Sequence, residues 1–169
     1  MKKIKQLGKI AFLALAISFG SCSSDSDGGS VSAGAGTITA KVDGKTVKSI
    51  PSATFAYITA AGLQVTGSNI NAENLAVQIL SFDGVGKYDI GGSTSIAIGS
   101  YSAIDINNPQ NTDNIWFAPY SENLVDGEVD VTEVTDTNVK GTFFFKAKNE
   151  SGSIKNVTSG SFNVPISEF

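Results

Sequence analysis

The sequence predicts an all-β domain, an antiparallel β-sandwich or barrel-like meander of about nine or ten strands. Three observations predict it. From Thr37 onward apolar and polar residues alternate with a period of two. Turn dipeptides and glycine clusters recur at short spacing. No segment carries convincing helical periodicity; at most, Asn71 to Asn74 makes one turn.

The elements follow in order. Ile38, Ala40 and Val42 alternate with Thr39 and Lys41, and Asp43-Gly44 then marks a hairpin, because a type I′ turn needs positive φ. Thr46 to Ile50 is the returning arm, stopped by Pro51. Ala53 to Thr59 reads as a strand with Phe55 and Tyr57 on one face, and Leu63 to Gly67 as its partner. Leu75, Val77 and Ile79 mark the next strand, and Asp83-Gly84-Val85-Gly86 turns it. Lys87–Ile90 and Ser95–Ile98 are short strands around Gly91-Gly92. Tyr101 to Thr112, rich in Asn and Ser, is partly loop. Asn114 to Tyr120 is a strand that buries either Trp116 or Phe117. Glu128 to Thr132 alternates an acidic face with an apolar one.

The last third is the most regular. Val139, Gly141, Phe143, Phe145 and Ala147 share a face, opposite Lys140, Thr142, Phe144, Lys146 and Lys148. Ile154 to Thr158 and then Phe162, Val164 and Ile166 complete the set. The triplets Gly141-Thr142-Phe143 and Gly160-Ser161-Phe162 look like a repeat. The simpler account is that neighbouring strands place a small residue beside a large one so that layers interdigitate.

Composition excludes several chemistries. The 169 residues include no His, one Cys and 12 Lys+Arg, all of them lysine. That removes the Ser-His-Asp triad, the Cys-His dyad, imidazole or multi-cysteine metal sites, and the bidentate arginine clamp. A pI near 4.7 argues against nucleic acid. No catalytic residue, metal ligand or cofactor is expected, and the chain is read as a non-enzyme.

The N-terminus reads as an address. Lys2, Lys3, Lys5 and Lys9 precede the apolar run Ile10 to Phe19 and the small exit Gly20-Ser21-Cys22. This is the pattern of a secretory signal peptide, residues 1–21, and it falls short of the roughly 20 apolar residues a membrane helix needs. Residues 22–36, rich in Ser, Gly and Asp, read as a flexible tether. Residues 37–169 form the β domain. Loss of residues 1–21 removes four of the 12 lysines and none of the 16 acids, leaving a formal charge of −8.

Phe19-Gly20-Ser21-Cys22 resembles the bacterial lipobox, with Phe19 where an aliphatic residue is usual. The resemblance implies a diacylglycerol-modified Cys22 that anchors the chain in a membrane. Asp25 and Asp27 resemble the acidic surface-export signals of Bacteroidetes lipoproteins. The opening Ile38 to Gly44, the strand after Asp126-Gly127, and the paired strands Val139 to Ala147 and Val157 to Ile166 resemble a family of uncharacterised small all-β lipoproteins of Bacteroidetes. That resemblance implies an envelope protein and brings no catalytic residues. The expected location is the outer membrane, lipid-anchored and facing the cell surface, with a periplasm-facing anchor as the alternative.

Two constellations carry candidate chemistry. Glu128 and Asp130 share a strand face near Glu133, and residues at i and i+2 suit the carboxylate spacing of about 5–5.5 Å or 6.5–9.5 Å used in glycoside hydrolysis. Their alternation with Val129 and Val131 instead reads as a solvated outer face. Tyr101, Trp116 and Tyr120 bracket an amide cluster that includes Asn111 and Asn114. Flat rings stack on sugar C–H faces and amides match hydroxyls, so these five are the candidate ligand-binding residues. The competing account makes the ring a core residue and the asparagines turn formers. The expected function is a non-enzymatic surface binding or adhesion module, with a glycan or protein ligand. The alternative is a structural or assembly accessory of a cell-envelope complex.

Overall fold

A computed structural model describes residues 32–93, 96–121 and 123–167. Cys22, the signal segment and most of the tether lie outside the described residues. Eleven strands form: β1 (Thr37–Val42), β2 (Lys45–Lys48), β3 (Thr54–Thr59), β4 (Gly62–Ser68), β5 (Glu73–Leu80), β6 (Gly86–Gly91), β7 (Ala97–Ala103), β8 (Ile115–Ala118), β9 (Val125–Val134), β10 (Asn138–Lys148) and β11 (Ile154–Pro165). The all-β expectation is met, with one strand more than the upper count. No described helix is long and apolar enough to cross a membrane.

The strands join in the order β2-β1-β11-β10-β9-β6-β7-β5-β4-β3, and β8 bridges β7 to β10. That bridge closes a small barrel of β6, β9, β10, β8 and β7. Every adjacent pair is antiparallel except β6 with β7, which meet in parallel at Ile90 and Ala97. The far edge folds back as well: Ala56 of β3 bridges Ile166, and the Ser167 amide donates to the Ala56 carbonyl at 2.8 Å.

Local chemistry explains the elements. Asp43 and Gly44 both have positive φ, +48° and +85°, as the I′ turn between β1 and β2 demands. On β10 the inward set Val139, Gly141, Phe143, Phe145 and Ala147 is buried, and the outward Thr142, Phe144, Lys146 and Lys148 are exposed. The two Gly-hydroxyl-Phe triplets interlock. Gly141 pairs with Phe162 and Phe143 pairs with Gly160, so each ring lies over the other strand's glycine. A methyl at Gly160 would fall 2.5 Å from the Phe143 ring, well inside contact distance. The β11 strand bulges beside this pair, with Ser159 at φ +50°, and the register to both β10 and β1 shifts there. Such a bulge bends and twists a strand, which lets one long strand serve the barrel and the β1–β2 hairpin.

The Tyr101 to Thr112 segment is partly loop as expected, with the division at Ala103: β7 runs to Ala103 and pairs with both β5 and β8. Its hydroxyl-rich Ser100 and Ser102 face outward while Gly99 and Tyr101 face in, which disguised the alternation. Pro165 is the last residue of β11, a place where the lack of an N–H costs no ladder hydrogen bond.

The core is one cluster that includes Ile38, Val65, Leu75, Ile79, Ile90, Val129, Phe145, Phe162 and Val164. Phe143 stacks on Phe145 and Phe162 at centroid distances of 6.0 and 6.4 Å. Each fully buried side chain of this size contributes about 1.5–3 kcal/mol.

Candidate functional site

The described surface carries two neighbouring hollows that share Tyr120 as a wall. The first, of about 450 Å³, is lined by Thr112, Ile115, Phe117, Tyr120, Lys148, Asn149 and Glu150. The second, of about 310 Å³, lies between Tyr120, Ser121 and Leu124 to Asp126, Phe144 and Lys146 of β10, and Asn156 to Thr158 of β11. Both volumes fall within the range of small-ligand sites, about 300–1,000 Å³.

The alternation of three strands builds this face. Phe117 of β8 points outward because its neighbours Trp116 and Ala118 are buried. Phe117 pairs with Lys148 across the β8–β10 bridge. Phe144 and Lys146 stand on the same outward side of β10 as Lys148. Phe117 and Phe144 expose 55% and 52% of their surface, an unusual investment for two phenylalanines on one face. Two fixed loops frame them. The Asp126 carboxylate accepts hydrogen bonds from the Tyr120 and Ser121 amides at 2.8 and 2.9 Å and from the Ser121 hydroxyl at 2.9 Å. The Asn149 side-chain amide donates to the Asp113 carbonyl at 2.5 Å, which ties the 105–114 loop to the β10–β11 turn. Asn149 Oδ1 also accepts from the Ser153 amide at 2.7 Å, closing that turn. The Lys148 ammonium lies 5.9 Å from the centre of the Tyr120 ring.

The residues singled out in the sequence separate into three groups. Tyr120 lines both hollows. Asn111 and Asn114 flank the first hollow without lining it; Asn111 caps a short 3₁₀ turn, its side-chain oxygen accepting from the Asp113 amide at 2.9 Å. Tyr101 and Trp116 are buried, 5% and 6% exposed, and stack on each other at 5.6 Å. Their rings therefore face the core, and their contribution to any surface site is support. Lys155 sits over the Trp116 ring at 5.4 Å, and the Trp116 Nε1 has no hydrogen-bond partner. The Tyr101 hydroxyl donates to Glu73 at 3.2 Å; burial and this carboxylate push the phenol up to about 12. Burial works to raise the Glu73 carboxyl, but bonds from Asn69, Lys45 and Tyr101 outweigh it and hold the group below its ordinary value.

Sequence reasoning missed Phe117, Lys148 and the supporting Asp126. The alternation signalled that one of Trp116 and Phe117 must face out, but not which. The carboxylates Glu128 and Asp130 lie on the outward face of β9, where Lys87 of β6 meets them at 2.8 and 3.8 Å. They form a cross-strand ion cluster with Lys87, and neither lines either of the two hollows. Among the described residues no group of three or more His, Cys, Asp or Glu is placed to hold a metal ion.

These features define a small all-β barrel with a shallow aromatic surface site. The chain belongs to the family described as Domain of unknown function (DUF6252), whose model matches residues 34–165. No curated protein and no solved structure matches the chain.

Proposed function

We propose that this protein is a lipid-anchored outer-membrane lipoprotein whose β domain is a non-enzymatic binding module for carbohydrate at the cell surface. One observation carries the ligand reading: two exposed phenylalanines and Tyr120 line adjoining hollows edged by Lys, Asn, Glu and Thr side chains. Flat apolar rings with hydroxyl-matching groups at their rims suit a sugar, which is apolar on its C–H faces and polar at its edge. The site is held by backbone-anchored loops, so little ordering entropy opposes binding.

The anchor reading rests on Cys22 and the tether pattern. The described chain begins against β11, where the Ala33 amide donates to the Ser161 hydroxyl at 2.7 Å. Ser161 pairs with Thr142, and Lys148 lies six positions further along β10, about 20 Å of strand. The first hollow thus stands well beyond the point where the tether joins the domain.

Two experiments test the reading. Protease shaving of intact cells should release the domain, and Cys22→Ala should abolish its membrane retention; protection until the outer membrane is opened would refute surface display. A glycan array should return ligands that are lost with Phe117→Ala and Tyr120→Ala. A silent array would refute carbohydrate binding. Exposed Leu124 and Val125, at 68% and 56%, beside the second hollow favour one rival, a protein partner in an envelope complex. Stoichiometric crosslinking to one envelope protein, lost with Val125→Lys, would select it.

A further inference from the structure

The two hollows differ in charge, and the difference bears on which sugars they take. The first is lined by both Lys148 and Glu150, and the Glu150 carboxylate accepts from the Thr112 hydroxyl at 3.4 Å. A cation and an anion together suit a neutral, hydroxyl-bearing unit. In the second, the only acid among the described residues is Asp126, and both its oxygens are occupied by Tyr120 and Ser121. Lys146 there has no carboxylate partner among the described residues. Four of the described lysines, Lys45, Lys87, Lys140 and Lys155, are within 4 Å of an acid, whereas Lys41, Lys48, Lys146 and Lys148 are not. What sets Lys146 apart is its place beside the exposed Phe144 ring in a hollow whose one described acid is already bonded. An ammonium next to an apolar ring recognises a sugar that carries an anionic group at its edge and a C–H face on its plane.

The hollows also share a wall. Tyr120 separates them, and Lys146 and Lys148, two positions apart on β10, stand about 7 Å from each other along the strand. A ligand filling both must be a chain of sugar units rather than a single ring.

We propose that the groove takes an acidic oligosaccharide of at least two units, with its carboxylate- or sulfate-bearing unit in the second hollow against Lys146 and Phe144 and a neutral unit in the first. This assignment rests on the carbohydrate reading above.

The test uses the full chain, purified in detergent, and calorimetric titration with uronic-acid oligosaccharides of one to six units. The same oligomers with their carboxyls reduced to alcohols, and a sulfated series, run alongside. Affinity is expected to rise at least tenfold from one unit to the length that spans both hollows. It should fall with added salt and drop at least fivefold for the reduced series. Lys146→Gln should erase the preference for the acidic series over the reduced one. Phe117→Ala should weaken both. Equal affinity for acidic and reduced oligomers, or a length series that is flat beyond one unit, overturns this assignment and leaves the carbohydrate reading standing. No binding of any series overturns both.

Discussion

The interlocked pair of β10 and β11 gives the sharpest test of how the core is assembled. In Gly160→Ala the new methyl would lie 2.5 and 2.6 Å from two atoms of the Phe143 ring and 2.6 Å from the Phe143 carbonyl oxygen. Ordinary carbon contacts are about 3.5–4.0 Å, so the overlap is near 1 Å. The ring has little room to retreat, because it stacks on Phe145 and Phe162. Overpacking of this kind costs about 1–3 kcal/mol, and the contact with backbone oxygen places Gly160→Ala toward the upper end. Phe143→Ala empties a core position at a cost of about 3–5 kcal/mol. In the double variant the methyl enters the space the ring has left, and the clash remaining is the one with the carbonyl. The combined loss should fall short of the two single losses by about 1–2 kcal/mol, within the range of coupled neighbours. Guanidinium unfolding followed by the fluorescence of Trp116, the one tryptophan in the chain, measures all three. Phe143→Leu replaces Phe143→Ala if the latter does not fold. Additivity within about 0.3–0.5 kcal/mol would refute the reasoning, because independent sites behave that way.

Asp126→Ala removes the acceptor of two backbone amides and a hydroxyl; it should cost about 1–3 kcal/mol in denaturant unfolding and abolish ligand binding by releasing Tyr120. Trp116→Phe should cost less than about 1.5 kcal/mol by calorimetry, because the buried indole N–H it deletes has no partner. Stability should fall in acid. The Asn156 amide and Lys155 hold Asp43 below its ordinary 3.8, and the bonds to Glu73 hold it below 4.5 despite its burial. The unfolded chain therefore binds more protons there, so this stabilisation is complete above the ordinary values and is lost as pH drops through the lowered ones. Glu73→Gln should flatten that limb of the pH–stability curve. Tyr101 has the opposite sign: its raised value makes stability fall as pH climbs from the ordinary 10.0 toward about 12, and Tyr101→Phe should remove that loss.

Much of the strand plan was legible because alternation is a direct report of which side chains face the core. The inward set on β10 and the Asp43-Gly44 turn were assigned from residue type alone and stand as read. The reciprocal triplets were visible as a pattern, and their meaning as small-beside-large packing needed only the register that pairs Gly141 with Phe162. Legibility stopped at two kinds of position. On β7, serines outside and glycine inside hide the contrast that alternation depends on. On β8, adjacent Trp116 and Phe117 are equally apolar, so the pattern does not say which ring is buried. The candidate site depends on that choice, since the buried ring supports the core and the exposed one lines the first hollow.

The sequence by itself determined the fold class, the faces of the long strands and the absence of histidine and arginine side chains, because each follows from residue type and spacing along the chain. Tertiary structure decided the rest. Closure through β8, the fold-back of β3 onto Ile166, and the meeting of Phe117, Tyr120, Phe144 and Lys148 join residues far apart in sequence. Which strand lies beside which is set by how all the apolar faces are buried together, and no local spacing encodes it.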